Sequence, residues 1–146
     1  MEPEAFLRSL DDERIVAAIR EAEGRSRGEI RVHVAEREVA DPRTEAALVF
    51  DRLRMADTAE RNGVLLFVAP ASQSITLLGD RAVHERCGEA FWTAVVEQVR
   101  DEFRAGRLTE GIVAAVRAVG DELARHFPRH PGEKDVNELP DTVSHG

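Results

Sequence analysis

The chain has 146 residues, and 20 Lys and Arg against 28 Asp and Glu give it a formal net charge of −8. This length predicts one domain with a core that needs no disulfide, and the acidic balance disfavours a nucleic-acid binder, whose surface should be basic. The single cysteine, Cys87, excludes an internal disulfide and a zinc cage built of cysteines. The N-terminus lacks the pattern of a secretory signal, and no apolar run approaches the roughly 18 residues of a membrane span. We therefore expect a cytoplasmic protein that does not insert into a membrane.

The first predicted elements are a helix, a strand and a second helix. Apolar residues at helical spacing predict a helix at about residues 10–24. Residues 29–35 alternate polar and apolar side chains, which is typical of a half-buried strand near the edge of a sheet. Asp41 and Pro42 are a favoured N-cap and first helical residue, so they predict a helix that ends near Met55.

Two apolar runs in the middle of the chain predict the centre of a sheet. Residues 64–69 (VLLFVA) have no polar break and are too few for a typical helix, so they predict a buried strand covered by helices on both faces. Residues 75–78 predict a second strand, and the connection is short enough for an antiparallel hairpin. The helix between residues 29–35 and 64–69 favours a parallel pair with a right-handed crossover.

The C-terminal half predicts three helical segments and then a tail. A helical turn follows Asp80, one helix covers residues 89–105, and another runs from about 108 to 126. Apolar periodicity then stops, so we expect one domain over residues 1–128 and a disordered tail over residues 129–146. Together the elements predict the α/β class, as a three-layer α/β/α sandwich with a small mixed sheet flanked by helices.

Polar residues at one edge of this sheet are the candidates for chemistry. The end of the second hairpin strand lies beside the start of the first, so Asp80 should lie near Arg61 and Asn62. The parallel strand should bring Glu29 to the same edge. Four further polar residues flank these positions in the sequence: Asp57, Thr58, Arg81 and His84.

These residue types are compatible with hydrolysis or cation binding, although the chain contains no P-loop, EF-hand loop or nucleophile elbow. A carboxylate such as Asp80 can act as an acid–base group or accept a phosphoryl group, and Arg61 or Arg81 can hold phosphate. Carboxylates also hold hard cations. Structural alternatives remain open, with Asp80 as an N-cap, Asn62 as a turn residue, and Arg61 paired with Asp57.

Three separated segments carry a family resemblance: residues 26–32 (SRGEIRV), residues 58–66 (TAERNGVLL), and residues 78–84 (LGDRAVH) followed by Trp92. Their order resembles the TPM domain family, in its short soluble branch, over about residues 5–128. The resemblance implies an α/β/α sandwich, and some members are acid phosphatases or bind calcium or magnesium. Longer branches carry a Gly-Tyr-Gly-Leu-Glu run after the hairpin, and its glutamate has no certain counterpart in residues 79–84 of this chain.

The resemblance implies a phosphomonoester hydrolase that uses Ca or Mg. On this hypothesis the catalytic residues are Asp80, Arg61 and His84. The substrate-binding residues are Asn62, Arg81 and Thr58, and the metal ligands are Asp57, Asp80 and Glu29. The substrate would be a phosphorylated small molecule or protein, and the resemblance also implies a membrane-protein partner. The alternative is a noncatalytic binding or assembly domain that uses the same polar edge for a partner or a structural ion.

Overall fold

Five helices and four strands make up the described part of the protein in a computed structural model, which covers residues 5, 8–72, 74–129 and 139–146. The helices are α1 (Asp12–Gly24), α2 (Pro42–Arg52), α3 (Arg81–Cys87), α4 (Glu89–Arg104) and α5 (Leu108–His126). The strands are β1 (Glu29–Val34), β2 (Gly63–Ala69), β3 (Ser74–Gly79) and β4 (Ser144–His145). A 3-10 turn at Pro70–Ser72 lies between β2 and β3.

The four strands form one mixed sheet in the order β3-β2-β1-β4. Strand β2 pairs antiparallel with β3 and parallel with β1, as the hairpin and the crossover helix predict. Strand β4 pairs with the other side of β1, so β1 is an internal strand and all six of its residues are buried. The prediction that this strand is half-buried is therefore wrong, although β1 does lie near the sheet edge, beside the edge strand β4.

Each face of the sheet carries its own apolar cluster, which confirms the three-layer α/β/α sandwich. One face packs against α1, α4 and α5, and its strand residues include Ile30, Val32, Val64 and Leu66. The opposite face packs against α2 and the residues that follow it, through Leu65, Phe67, Ala46, Val49 and Met55. Burying one large apolar side chain stabilises a fold by about 1.5–3 kcal/mol, so both clusters contribute substantially to holding the helices on the sheet.

The helix ends follow the capping signals of the sequence. The Asp41 carboxylate accepts hydrogen bonds from the backbone N–H groups of Arg43 and Thr44 at the start of α2. Asp11 caps α1 in the same way, through the backbone N–H of Arg14. None of the helices within the described ranges is both long enough and apolar enough to cross a bilayer.

The C-terminal segment differs from the predicted disordered tail at residues 139–146. Leu139 is only 5% exposed and packs into the cluster beside α2. Further along, Ser144 and His145 pair with His33 and Val34 of β1. Arg129, the first residue of the predicted tail, also contacts the domain, because its Nη2 donates to the Glu23 carbonyl at 2.6 Å. Residues 130–138 lie outside the described residues. The segment closes the open side of β1 and helps to bury it.

Candidate functional site

Asp80 and Arg61 meet at the hairpin edge, as the strand geometry predicts. Arg61 donates from Nε to Asp80 Oδ2 at 2.7 Å and from Nη2 to Asp80 Oδ1 at 2.9 Å. Asp80 Oδ1 also accepts a hydrogen bond from the backbone N–H of Arg81 at 2.7 Å, so Asp80 is the N-cap of α3. The Asp80 residue is 5% exposed, whereas 41% of the Arg61 side chain is exposed. Both carboxylate oxygens therefore accept hydrogen bonds, and Arg61 is the solvent-exposed member of the pair.

The backbone around this pair is cross-linked. The N–H of Asp80 donates to the carbonyl of Gly63 at 2.8 Å, and the N–H of Ala82 donates to the carbonyl of Arg61 at 3.1 Å. Arg61 has a left-handed backbone with φ of 51°, which costs a non-glycine residue about 1–2 kcal/mol. At Gly63, a Cβ atom would lie 2.9 Å from the carbonyl oxygen of Met55, so only glycine fits there. The bonds to Asp80 and Ala82 offset the strain at Arg61 and fix the loop before β2.

Asn62 and Thr58 are buried and stabilise this loop through hydrogen bonds. They are 1% and 7% exposed, respectively. Thr58 Oγ1 accepts from the backbone N–H of Asn62 at 3.2 Å, and Asn62 Nδ2 donates to the carbonyl of Arg27 at 2.9 Å. The Asn62 carbonyl accepts from the N–H of Glu29 at 3.3 Å, which joins the loop to β1. These contacts show that both residues stabilise the loop, and their role in binding a substrate stays a prediction.

The environment of Asp80 favours its ionised form. Burial acts to raise the pKa of this carboxyl, but the hydrogen bonds from Arg61 and the Arg81 N–H, with the charges of both arginines, lower the pKa overall. A carboxyl whose pKa lies below the normal value is an anion at neutral pH. Asp80 is therefore suited to accepting hydrogen bonds and not to donating a proton at neutral pH.

The three carboxylates predicted as metal ligands do not form one group. Asp57 lies on the surface, where its Oδ2 accepts from Arg54 Nε at 2.7 Å, so the alternative pairing of Asp57 with Arg61 is not formed. Glu29 is 3% exposed and belongs to β1. Across the described part of the chain, Asp57, Asp80 and Glu29 do not approach one another closely enough to share an ion. Metal binding at this edge therefore stays a prediction.

His84 faces a different feature, a groove of about 490 Å³ between β3 and α4. Its apolar surface includes Leu77, Trp92 and Val96. Trp92 both packs on the main apolar cluster and lines this groove. Charged residues of both signs also line the groove: Arg43, Glu89, Glu97 and Arg100. Sequence reasoning missed the groove because helical periodicity does not distinguish a fully buried aromatic residue from a half-buried one.

The family model that matches this chain is that of the TPM domain, over residues 1–122. The chain belongs to the TPM domain family. The fold of this TPM domain is also similar to the NMR structure of the BA42 protein from the psychrophilic bacterium Bizionia argentinensis, with a TM-score of 0.85 and 34% sequence identity. The match covers 94% of this chain and 96% of BA42. No curated protein matches the chain.

A buried acidic cluster in this TPM domain joins α1, β1 and the C-terminal segment. Glu23 is 2% exposed, and its Oε2 accepts from the backbone N–H of Ile30 at 2.9 Å. Its carboxyl group also hydrogen-bonds with Asp141 and Glu29. Burial first, and then these two bonds, raise the pKa of Glu23 far above its usual range, so the folded protein holds a proton there. The sequence predicted only Glu29 as a site residue, because Glu23 and Asp141 meet it through the tertiary fold.

Proposed function

We propose that this TPM domain is a noncatalytic binding domain that takes up an extended segment of a partner protein along β3. The observation that carries the proposal is the groove of about 490 Å³ beside this strand. Among the residues that the structure describes, strand β3 is at the end of the sheet and pairs only with β2. An edge strand has backbone N–H and C=O groups that can pair with an added strand, and a groove of this size is typical of ligand sites.

The lining of the groove defines the chemistry of the segment. Leu77, Trp92 and Val96 offer apolar contact, while the charged residues around them have both signs. Side chains of a strand alternate between two faces, so every second residue of the segment would contact the apolar surface. We therefore expect a segment with apolar residues at alternate positions and polar residues between them. The family resemblance suggests a membrane protein as its source.

The engagement of Asp80 also supports a noncatalytic role. Two hydrogen bonds from Arg61 and one from the Arg81 N–H occupy the carboxylate, which is 5% exposed. An attack by this carboxylate on a phosphate ester would first require it to leave Arg61 and the start of α3. Hydrogen bonds to charged groups contribute about 1.5–3 kcal/mol each, so this release is costly.

Selection from a displayed library of random decapeptides tests the binding proposal. The affinity of each selected peptide is measured by titration calorimetry, while the fluorescence of Trp92, the single tryptophan of the chain, reports whether the peptide enters the groove. Thr93→Arg obstructs the groove from an exposed position on α4, and Ala94→Arg adds the same charge at the next exposed position, which does not line the groove.

We expect peptides with alternating apolar residues, a saturable change in Trp92 fluorescence, and binding at least about tenfold weaker for Thr93→Arg than for Ala94→Arg, equivalent to about 1.4 kcal/mol. Methylation of alternate backbone nitrogens in the peptide should also abolish binding, because it removes the donors to the β3 edge. Equal binding by both variants, or no selected peptide from folded protein, would refute the proposal.

A second candidate function is phosphomonoester hydrolysis, which one feature of the edge favours. The Arg61 side chain is 41% exposed, and the charges of Arg61 and Arg81 both act on the ionised Asp80. A phosphate group that displaced Asp80 from Arg61 would leave a free carboxylate beside the ester. A calcium or magnesium ion would assist by neutralising charge on the phosphate, as the family resemblance implies.

Hydrolysis of p-nitrophenyl phosphate tests this second function, from acidic to neutral pH and with or without calcium or magnesium. On this hypothesis Asp80→Asn lowers kcat by about 10²–10⁴-fold, the range for loss of a general acid–base group. Asp101→Asn, at an exposed position of α4, should leave kcat unchanged. No turnover by the folded wild-type protein under any of these conditions would exclude the enzyme and leave the binding proposal untouched.

A further inference from the structure

Three residues with metal-binding side chains meet where α3 ends against α5. Cys87 is the last residue of α3, while Glu122 and His126 lie one turn apart near the end of α5. The Cys87 Sγ, a Glu122 carboxylate oxygen and a His126 ring nitrogen all lie within 4.8 Å of one another. In the part of the chain that the structure describes, no other group of three such residues is this close.

We propose that Cys87, Glu122 and His126 bind a zinc ion that fastens α3 to the end of α5. Zinc accepts sulfur, nitrogen and oxygen ligands in tetrahedral geometry, whereas calcium and magnesium prefer oxygen alone. With Zn–S of about 2.3 Å and Zn–N and Zn–O of about 2.0–2.2 Å, neighbouring tetrahedral ligand atoms lie roughly 3.3–3.6 Å apart. The three side chains therefore need to close by little more than about 1 Å, and water completes the fourth position.

The helices already hold these ligands in place. Glu122 and His126 are four residues apart on one face of α5, and His126 Nε2 lies 2.9 Å from Glu122 Oε1 in a hydrogen bond. Arg86 holds α3 to the same place, because its Nη1 donates to the His126 carbonyl at 3.0 Å and its guanidinium lies 4.5 Å from the centre of the Phe127 ring. A zinc ion would replace the hydrogen bond between Glu122 and His126, and the backbone of either helix would not have to move far.

Nearby positive charges limit the affinity without blocking the site. Arg125 Nη1 lies 3.5 Å from Glu122 Oε2, and its side chain is 73% exposed. It can therefore remain on this oxygen, or move into solvent, while Glu122 Oε1 contacts the metal.

Burial and the charge of Glu122 raise the pKa of the Cys87 thiol to about 11, so zinc has to displace the thiol proton as it binds. The ionised thiolate and Glu122 together balance the two charges of zinc.

Titration of the untagged, metal-free protein with zinc and then cobalt tests the site. Cobalt bound to a thiolate gives an intense near-ultraviolet charge-transfer band, which oxygen ligands do not produce. The ligand variants are Cys87→Ser, Glu122→Gln and His126→Gln, and His84→Gln is the matched control because His84 is exposed and lies at the groove. Circular dichroism and thermal unfolding without metal establish that each variant is folded.

We expect one zinc per chain, the cobalt–thiolate band, and a rise in Tm on zinc addition. Cys87→Ser should abolish the band. Both Cys87→Ser and His126→Gln should weaken zinc binding by at least about tenfold, the smallest loss usual when even a supporting residue of a metal site is removed. His84→Gln should bind as the wild type does. No stoichiometric zinc binding by the folded protein would overturn the proposal, as would equal binding by Cys87→Ser or preferential binding of calcium.

Discussion

Asp80 accepts hydrogen bonds from Arg61 and from the Arg81 N–H, and these contacts make its folded-state pKa lower than normal even though burial acts in the opposite direction. A carboxyl whose pKa is lowered by folding contributes stability above its unfolded pKa, about 3.9 for aspartate. That stability is lost as the pH falls through the lower, folded-state pKa. The pair of Asp80 and Arg61 is therefore a source of acid sensitivity.

We predict that Asp80→Asn reduces the dependence of stability on pH below about 4. The asparagine cannot form the ion pair with Arg61, so the variant should be less stable than the wild type at neutral pH and approach it in acid. Thermal unfolding from neutral pH down to about pH 2 measures this difference. Asp101→Asn, which changes an exposed carboxylate, is the control. Parallel curves for the wild type and Asp80→Asn would contradict the prediction.

The stability that Glu23 contributes has the opposite dependence on pH, because burial and the bonds to Asp141 and Glu29 raise the pKa of Glu23. A carboxyl with a raised folded-state pKa contributes its full stability below the unfolded value, about 4.3, and stability then falls as pH rises toward the folded pKa. Glutamine is neutral at all pH values, and its side-chain oxygen can still accept the hydrogen bond from the Ile30 N–H. Glu23→Gln therefore removes the cost of keeping the group protonated.

We predict that Glu23→Gln is more stable than the wild type in alkaline solution and that the gain grows as pH rises from neutral. Urea unfolding at several pH values measures the free energy of unfolding. The gain can grow by at most about 1.4 kcal/mol for each pH unit. Glu21→Gln changes an exposed carboxylate on the same helix and should show no such trend. A gain independent of pH, or a loss that grows with pH, would disprove this explanation.

The predictable part of the candidate site follows from local chain geometry. Arg61 and Asp80 were predicted to be neighbours because a short hairpin sets the register, and Val64 does pair with Gly79. To predict that Asp80 contacts both Arg61 and the start of α3 required only this strand register and the recognition of Asp80 as an N-cap. Glu23, Glu29 and Asp141 could not be assembled in this way, since their meeting depends on how distant segments pack.

At the scale of elements, the wrong prediction for β1 has a physical cause. Arg31 and His33 made the strand look half exposed, yet they are 7% and 1% exposed. The C-terminal segment covers them, since Arg31 Nη2 donates to the Thr142 carbonyl at 3.4 Å and His33 Nδ1 hydrogen-bonds with Ser144 Oγ at 2.8 Å. Strand β4 has two residues, too few for any periodic signal, so alternation could not reveal the cover. By contrast, the long amphipathic helices α4 and α5 lie close to their predicted positions.

Leu139 provides a test of whether the C-terminal segment contributes to the fold. Its side chain packs beside α2 and is 5% exposed, so Leu139→Ala should lower the free energy of unfolding by about 2–5 kcal/mol, the usual cost of such a buried truncation. Leu48→Ala is the matched control, because Leu48 on α2 is 56% exposed and should cost within about 0.5 kcal/mol. Urea unfolding measures both. Equal small effects would mean that residues 139–146 do not pack on the domain in solution.

At the scale of the whole molecule, the net charge of −8 separates general cation attraction from a specific metal centre. An acidic surface collects cations through its overall field, and salt screens that field with a Debye length of about 10 Å at 0.1 M. Asp57 is held by Arg54, and Asp80 is held by Arg61, so each of these predicted ligands already has a positive partner. Neither carboxylate can therefore offer both of its oxygens to calcium without giving up its arginine.

We predict that calcium binds weakly, that its apparent affinity falls severalfold between about 0.01 and 0.15 M salt, and that Asp80→Asn does not change it. The reason is that the attraction comes from many exposed carboxylates, of which the buried Asp80 is not one. Titration calorimetry at the two salt concentrations gives the affinity, and Glu29→Gln repeats the comparison at the other buried ligand predicted from the sequence. One calcium bound per chain, insensitive to salt and lost in Asp80→Asn or Glu29→Gln, would instead establish a metal centre at the hairpin edge and favour the hydrolytic function over the binding one.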